Sequence, residues 1–148
     1  MISRSLAAIL GLAMLLTVAP AQAAGPIGQI KEVSGQAHIE SAAGQRPAAL
    51  GGDVFEADTI VTGADGAVGI TFMDDSRFSA GPNSRVALEA FAYDTTTQTG
   101  NFTSRVERGT LAVTSGRLAK SSPDAMKVVT RGSILGIRGT KILVRAVE

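Results

Sequence analysis

The segment AVGITFMDDSRF, residues 67–78, contains the pattern that decides the fold. Apolar residues alternate with small or polar ones up to Phe72, which is the period-two pattern of a half-buried β-strand. The polar run at 74–76 then separates Phe72 from Phe78. Because Asp tolerates the left-handed backbone conformation, we predict a turn here in which Asp75 takes the strained position. The segment therefore predicts a strand that ends in a tight turn.

The same alternation recurs at 85–89 and 141–146, and no window after the first 23 residues repeats apolar residues at helical spacing. Most of the 17 glycines fall in this part of the chain, many beside Ser, Thr, Asp or Asn, and such pairs favour tight turns. These patterns predict an all-β fold of about ten to twelve short strands, arranged as a β-roll, a sandwich or a short irregular β-solenoid. The length of 148 residues predicts a single domain.

The composition excludes several kinds of chemistry. The chain has no Cys, which excludes disulfides, a thiolate nucleophile and Cys-ligated zinc. Its single histidine, His38, leaves little scope for imidazole acid-base catalysis. The net charge of +1 gives no electrostatic footprint for nucleic acid. We therefore predict a protein that is not an enzyme, with no catalytic residue, no cofactor, no metal ligand and no nucleic-acid partner.

The N-terminal segment 1–23 has the order of a secretory signal peptide. A single basic residue, Arg4, precedes an apolar run at 6–18, and the small-residue element Ala-Gln-Ala ends at Ala23. The apolar run is shorter than the roughly 20 residues that a membrane-spanning helix needs. We therefore predict a cleaved signal peptide, a domain at 24–148, a location in the periplasm or outside the cell, and no membrane span after cleavage. Retention of the segment as an N-terminal anchor is the alternative.

The acidic pair Asp74 and Asp75, followed by Ser76, is the most conspicuous polar cluster. Paired carboxylates can bind a cation or perform acid-base catalysis. Neighbouring residues of a strand point to opposite faces, however, so these two carboxylates need not converge. We interpret the cluster as a turn and keep its three residues as candidates for contact with a partner.

The segment IRGTKILV, residues 137–144, places a positive charge, a flexible backbone position and a hydroxyl at the start of a strand. Arg138 and Thr140 could contact a peptide, a glycan or another partner. Arg138 could instead pair with an internal acid such as Asp58 or Asp74 and fix the last strand in place. The predicted interaction surface comprises Asp74, Asp75, Ser76, Arg138 and Thr140.

Eight short motifs follow one another along the predicted domain. They are GQIKEVSG at 28–35, GD at 52–53, DTIVTG at 58–63, AVGITFMDDS at 67–76, GPNS at 81–84, RGTL at 108–111, VVT at 128–130 and IRGT at 137–140. With these motifs in this order, the chain resembles the FecR domain over about residues 25 to 147. FecR domains are extracytoplasmic modules of ferric-citrate-type transmembrane signalling regulators and of many other bacterial envelope proteins.

This resemblance implies an envelope protein without catalysis. The family motif usually has Asp-Gly-Ser where this chain has Asp-Asp-Ser at 74–76, and Asp replaces Gly readily in a turn. The signalling regulators also have a cytoplasmic sigma-factor-binding segment, for which residues 1–5 leave no room. We therefore expect the fold and the envelope location to apply to this chain, and the complete signalling mechanism not to apply.

The predicted function is that of a binding or protein-interaction module in the periplasm, linked to envelope signalling. Its partner would be an envelope protein or a cell-wall component. A module that binds the cell wall or glycans is one alternative, and a structural component of an envelope assembly is another. The aromatic content of 4% argues against aromatic platforms for sugar binding.

Overall fold

The computed structural model describes residues 24–139 and 141–147. These residues form twelve strands and one short helix, and 58% of them are in strands. The predicted all-β, single-domain fold is therefore confirmed, in the form of a sheet that curls into a half-barrel. The predicted signal segment 1–23 and Thr140 lie outside the described residues. A search of the described helices finds none with the length and apolar character needed to span a membrane.

Short connections join the strands in sequence order. The strands are β1 (Gly28–Ser34), β2 (Ala37–Ser41), β3 (Gly44–Pro47), β4 (Asp53–Val54), β5 (Thr59–Thr62), β6 (Ala67–Phe72), β7 (Arg77–Ala80), β8 (Arg85–Asp94), β9 (Thr99–Thr114), β10 (Met126–Val129), β11 (Ile134–Gly136) and β12 (Lys141–Ala146), and helix α1 (Arg117–Ser121) lies between β9 and β10. In β6 every second residue is buried, as the alternation in the sequence predicts.

The longest strand, β9, is shared by two sheets. On one side it pairs antiparallel with β8 and then with β7. On the other side it pairs in parallel with β10 and then antiparallel with β12. Its first half thus belongs to sheet B, ordered β3-β2-β5-β8-β9-β10-β11, and its second half to sheet A, ordered β4-β1-β6-β7-β9-β12. The strand therefore connects the two sheets along its own length.

Gly109 lies where β9 passes from one sheet to the other. Its φ of +86° is in the left-handed region that favours glycine. A Cβ atom at this position would lie 2.2 Å from Ser84 Oγ and 2.5 Å from Ser84 Cα. The same Ser84 hydroxyl accepts a hydrogen bond of 2.9 Å from the backbone N–H of Thr110. The bend therefore requires a residue without a side chain.

The two sheets enclose one hydrophobic core that contains an aromatic cluster. The ring of Phe72 in sheet A lies 4.8 Å from that of Phe102 in sheet B and 6.1 Å from that of Phe91, measured between ring centres. Phe78 lies 4.8 Å from Phe72 and 5.0 Å from Phe102. All four rings are buried. Their burial stabilises the contact between the sheets and leaves them unavailable for stacking against an external ligand.

The edge strands on one side of the half-barrel are protected. β3 ends at Pro47, and β4 has only 2 residues. The loop between them bonds to β1, where Gly51 N donates to Ile30 O at 2.8 Å and Ile30 N donates to Gly52 O at 2.8 Å. Proline, short strands and a covering loop all prevent an edge from pairing with another chain.

The edge strands on the other side are uncovered within the described part of the chain. There β11 pairs with β10 alone, and β12 pairs with β9 alone. We call these two strands the C-terminal edge. Several of the large apolar side chains that remain exposed lie on it or directly after it, namely Ile134, Leu135, Leu143 and Val147. The two sides of the half-barrel therefore differ in how open they are to a further strand.

Candidate interaction surface

The turn between β6 and β7 is bonded to the start of α1 through buried polar groups. The Asp74 carboxylate accepts hydrogen bonds from the Ser76 hydroxyl at 2.5 Å, from Ser76 N at 3.1 Å and from Leu118 N at 3.4 Å. Gly116 N donates to Ser76 Oγ at 3.1 Å, and Arg117 N donates to the Asp74 carbonyl at 2.7 Å. We call Asp74, Ser76 and the backbone of 116–118 the turn cluster. It supplies acceptors for N–H groups at a helix start, which have no partner within the helix.

Asp74 and Ser76 are completely buried, at 0% exposure. This corrects the prediction that they belong to a contact surface, because their polar atoms face the start of α1 instead of solvent. Gly116 completes the packing, since a Cβ atom there would lie 2.2 Å from the Asp74 carbonyl oxygen. The polar groups of the cluster therefore serve the fold.

Asp75 is the exposed member of the acidic pair. Its φ of +67° is left-handed, which confirms the prediction that it takes the strained turn position. Its carboxylate lies 2.9 Å from Arg117 Nε, and both side chains are more than half exposed. An ion pair in that setting contributes little stability. The two carboxylates point to different environments and do not form a cation site.

Arg138 is exposed, whereas Thr140 lies outside the described residues. The internal acids proposed as partners for Arg138 are occupied by other groups. The Asp58 carboxylate lies 2.5 Å from Arg46 Nη2 and accepts a hydrogen bond of 2.9 Å from Phe55 N. The Asp74 carboxylate is bound within the turn cluster. The structure therefore does not support the interpretation in which Arg138 pins the last strand to one of these acids.

The strand that follows Arg138 alternates between an exposed and a core-facing row. Lys141, Leu143 and Arg145 are exposed, and Leu143 retains 70% of its accessible surface. Val144, between them, is 5% exposed. The sequence predicted this alternation but not its outer row as a surface. The sequence signal that could have indicated this surface is a strand without Pro in which alternate residues are basic, apolar and basic.

The outer face of sheet A continues from β12 across the neighbouring strands. Lys141 lies beside Thr114, and Thr114 lies beside Arg77 on its other side. In the next row Leu143 lies beside Ala112, which lies beside Ser79. The small residues in these rows form the floor of a shallow depression of about 360 Å³. Its lining includes the cations Lys31, Arg77 and Lys141 and the anion Glu32.

On sheet B, half-buried charged side chains form a network of ion pairs. Arg85 lies 2.6 Å from the Glu40 carboxylate and 2.7 Å from the Glu107 carboxylate. The hydrogen bond from Arg85 is the main cause that holds the pKa of Glu40 below its usual value. The same contact raises the pKa of Arg85 above its usual value. This charge network links β2, β8 and β9.

No cluster of three or more potential metal ligands occurs among the described residues. The Ser76 hydroxyl and the Asp74 carboxylate of the turn cluster form hydrogen bonds with each other and with backbone N–H groups. The fold and this surface define a β-domain in which the polar groups of the turn cluster bond within the fold, and in which the described residues leave the C-terminal edge uncovered.

Comparison with known families gives the particular class. The sequence model of the FecR protein family matches residues 58–148. The chain therefore belongs to the FecR family, as the order of the motifs predicted. No curated protein matches the chain. A solved structure described as a cell surface anchoring domain is 32% identical, with a TM-score of 0.41, and the match covers 43% of this chain and 86% of that one.

Proposed function

We propose that this chain is an exported FecR-domain module that binds an envelope protein and has no catalytic role. FecR domains are extracytoplasmic, which supports a site of action in the periplasm or outside the cell. The observation on which the proposal mainly rests is the contrast between the two polar regions. The polar groups of the turn cluster are buried and bond within the fold, whereas the C-terminal edge has exposed apolar and basic side chains.

The aromatic side chains favour a protein partner over a glycan. Four of the phenylalanines form the core cluster, and the ring of Phe55 lies under the Arg46 guanidinium at 5.7 Å. Sugar-binding modules commonly stack pyranose rings on exposed aromatic faces, and these rings are not placed for that. Cell-wall binding and a structural role in an envelope assembly remain as the alternatives that the experiment must separate.

The export part of the proposal concerns the segment 1–23, which would be removed by cleavage before Ala24. Intact-mass measurement of the protein recovered from a periplasmic extract tests this step. The expected mass is that of a chain that begins at Ala24. Recovery of the full-length mass from the membrane fraction would instead identify an uncleaved anchor.

Crosslinking in cells tests the binding part. The tagged full-length chain is crosslinked in the envelope, purified under denaturing conditions and analysed by mass spectrometry. One protein enriched with the natural chain, and reduced several-fold by Arg138→Glu but not by Lys120→Glu, is the expected result. Both variants replace an exposed cation by an acid. Recovery of peptidoglycan fragments alone would support the cell-wall alternative, and recovery of no specific material would support a structural role.

A further inference from the structure

We propose that β12 is the docking site for an extended acidic segment of the partner protein, which adds to sheet A as a further strand. This inference rests on the proposed function, because it names the site and the chemistry of the partner that the function requires. It concerns the outer row Lys141, Leu143 and Arg145, none of which belongs to the interaction surface predicted from the sequence.

The backbone of β12 is suited to strand addition. The strand has 6 residues in continuous antiparallel register with β9, from Lys141 beside Thr114 to Ala146 beside Gly109. In the described part of the chain, its other side has no strand neighbour. A strand in this position presents a row of N–H and C=O groups that an incoming extended segment can pair with.

The side chains of β12 select the charge of that segment. Lys141 and Arg145 stand on the same face with Leu143 between them. Side chains directly opposite one another on neighbouring strands lie roughly 4.5 to 5.5 Å apart, so each cation would contact the residue opposite it. A segment with an acid, an apolar residue and an acid at alternate positions would therefore pair with this row. A basic segment would meet like charges at both ends.

The rest of the outer face of sheet A strengthens the preference for acidic partners. Arg77 lies in the same row as Lys141, with only Thr114 between them. On β1, next to the far edge strand β4, Lys31 and the acid Glu32 are both exposed beside a bulge in the register. Among the described residues of this face, the cations Lys31, Arg77, Lys141 and Arg145 outnumber the acids Glu32 and Asp53. Both acids lie on β1 and β4, away from β12, so the charge near β12 is positive.

The same charges oppose pairing with a second copy of this chain. If two β12 strands paired antiparallel about Leu143, Lys141 of each copy would lie opposite Arg145 of the other. A parallel pair would place each cation next to its own counterpart. Like charges directly opposite one another destabilise a strand pair, and cationic edges are a recognised protection against self-association. Charge repulsion therefore disfavours pairing of β12 with a second copy of β12, whereas an acidic segment can pair with it. Repulsion of the wrong partner in this way contributes to specificity.

Binding of two synthetic peptides to the purified domain at 24–148 would test the site. The acidic probe is acetyl-Thr-Glu-Ile-Val-Val-Glu-Thr-amide, whose outer row is acid, apolar, acid in either strand direction. The basic control replaces both Glu by Lys and keeps the apolar content. At low salt we expect the acidic peptide to bind at least about tenfold more tightly by calorimetry, because two ion pairs replace two repulsions. The preference should shrink in high salt. Equal binding of the two peptides would overturn the proposal.

Charge reversal on the protein locates the site. In Lys141→Glu combined with Arg145→Glu, the preference should reverse, so that the basic peptide binds more tightly. Lys120→Glu combined with Lys127→Glu changes the net charge by the same amount on other elements and should leave the acidic preference in place. Circular dichroism confirms that each variant is folded. A preference that does not reverse in the β12 variant would exclude β12 as the site.

Backbone blocking separates strand addition from simple charge attraction. The acidic peptide is compared with a form that is N-methylated at the amides of one edge of the strand and with a form that is N-methylated at the amides of both edges. Each strand direction turns a different edge towards β12, so the form blocked on one edge can still bind in one direction, whereas the form blocked on both edges should lose binding. Retention of binding by the form blocked on both edges would contradict strand addition.

The crosslinking experiment distinguishes a failure of this inference from a failure of the proposed function. If the partner captured by the natural chain is captured equally by the β12 charge-reversal variant, the proposed function stands and the docking site is wrong. If the natural chain captures no specific protein, the proposed function fails whatever the peptides do. Loss of the partner together with reversal of the peptide preference supports both.

Discussion

The turn cluster and the C-terminal edge use similar residues for opposite purposes. Both regions place charged or hydroxyl side chains beside a strand, and from the sequence we predicted that residues of both regions form one interaction surface. In the turn cluster, Asp74 and Ser76 are buried and saturate the N–H groups at the start of α1. On the edge, Lys141 and Arg145 remain exposed. A polar motif in this domain therefore becomes a binding candidate only when the fold does not already use it.

Removal of the Asp74 carboxylate should have the largest effect on stability. In Asp74→Ala the Ser76 hydroxyl and the Leu118 N–H lose their buried acceptor, so we expect the free energy of unfolding to fall by about 3 kcal/mol. Urea denaturation followed by circular dichroism measures the change. Asp75→Asn is the matched control, since Asn tolerates the left-handed turn and the side chain is exposed, and it should change stability by less than about 0.5 kcal/mol. Equal losses in the two variants would erase the distinction between the buried and the exposed carboxylate.

An added methyl group should destabilise the protein at the turn cluster but not beside the C-terminal edge. In Gly116→Ala the new Cβ would lie 2.2 Å from the Asp74 carbonyl oxygen and 2.4 Å from Ser76 N. Because backbone on both sides must shift, we expect a loss of about 2 kcal/mol in the free energy of unfolding. In Gly132→Ala, next to the C-terminal edge, nothing lies within 4 Å of the new atom. That variant should stay within about 0.5 kcal/mol of the natural chain. A neutral Gly116→Ala would mean that the turn and α1 are not tightly packed.

The charge network on sheet B should give a smaller and pH-dependent effect. Because the pKa of Glu40 is lowered by Arg85, the ionised carboxylate stabilises the fold above the ordinary carboxyl pKa. That contribution is lost as the pH falls through the lowered pKa. Glu40→Gln should therefore melt slightly below the natural chain at neutral pH, and the difference should vanish in acid. Melting curves at a series of pH values from neutral downwards measure it, and a difference that does not shrink as the pH falls would point to a cause other than the Glu40 charge.

Charge reversal on the edge should have the smallest effect on stability. Lys141→Glu combined with Arg145→Glu alters two exposed side chains, so we expect the free energy of unfolding to change by less than about 0.5 kcal/mol. The same urea titration used for Asp74→Ala gives the value. A loss as large as that of Asp74→Ala would show that these cations are part of the fold, and the contrast between the two regions would disappear.

Local sequence patterns were sufficient for the strands and turns. Alternation set the burial of β6 and β12 correctly, because the side chains of a strand point to opposite faces whatever the surrounding fold. The left-handed turn at Asp75 followed from the same kind of local reasoning. Family resemblance came from the order of the motifs, and the match at 58–148 confirms it.

Contacts between distant parts of the chain could not be predicted. Gly116 N and Leu118 N reach Ser76 and Asp74 across 40 and 44 residues. Nothing in the sequence around Asp74 indicates that a helix start will cover it. The choice of Arg46 as partner for Asp58 depends likewise on how β3 folds over the loop before β5. Burial of a polar group is a property of the tertiary fold, so the sequence overestimated the surface at the turn.

The sharing of β9 between the two sheets also determines how the molecule should come apart. Each half of β9 lies between two neighbouring strands of one sheet. If β9 separates from one sheet, the other sheet is disrupted as well, because both contain the same strand. The sheets should therefore melt in one cooperative transition and not as separate units. Amide hydrogen exchange should be slowest along β9, where strands flank both sides, and faster in β11 and β3 at the margins.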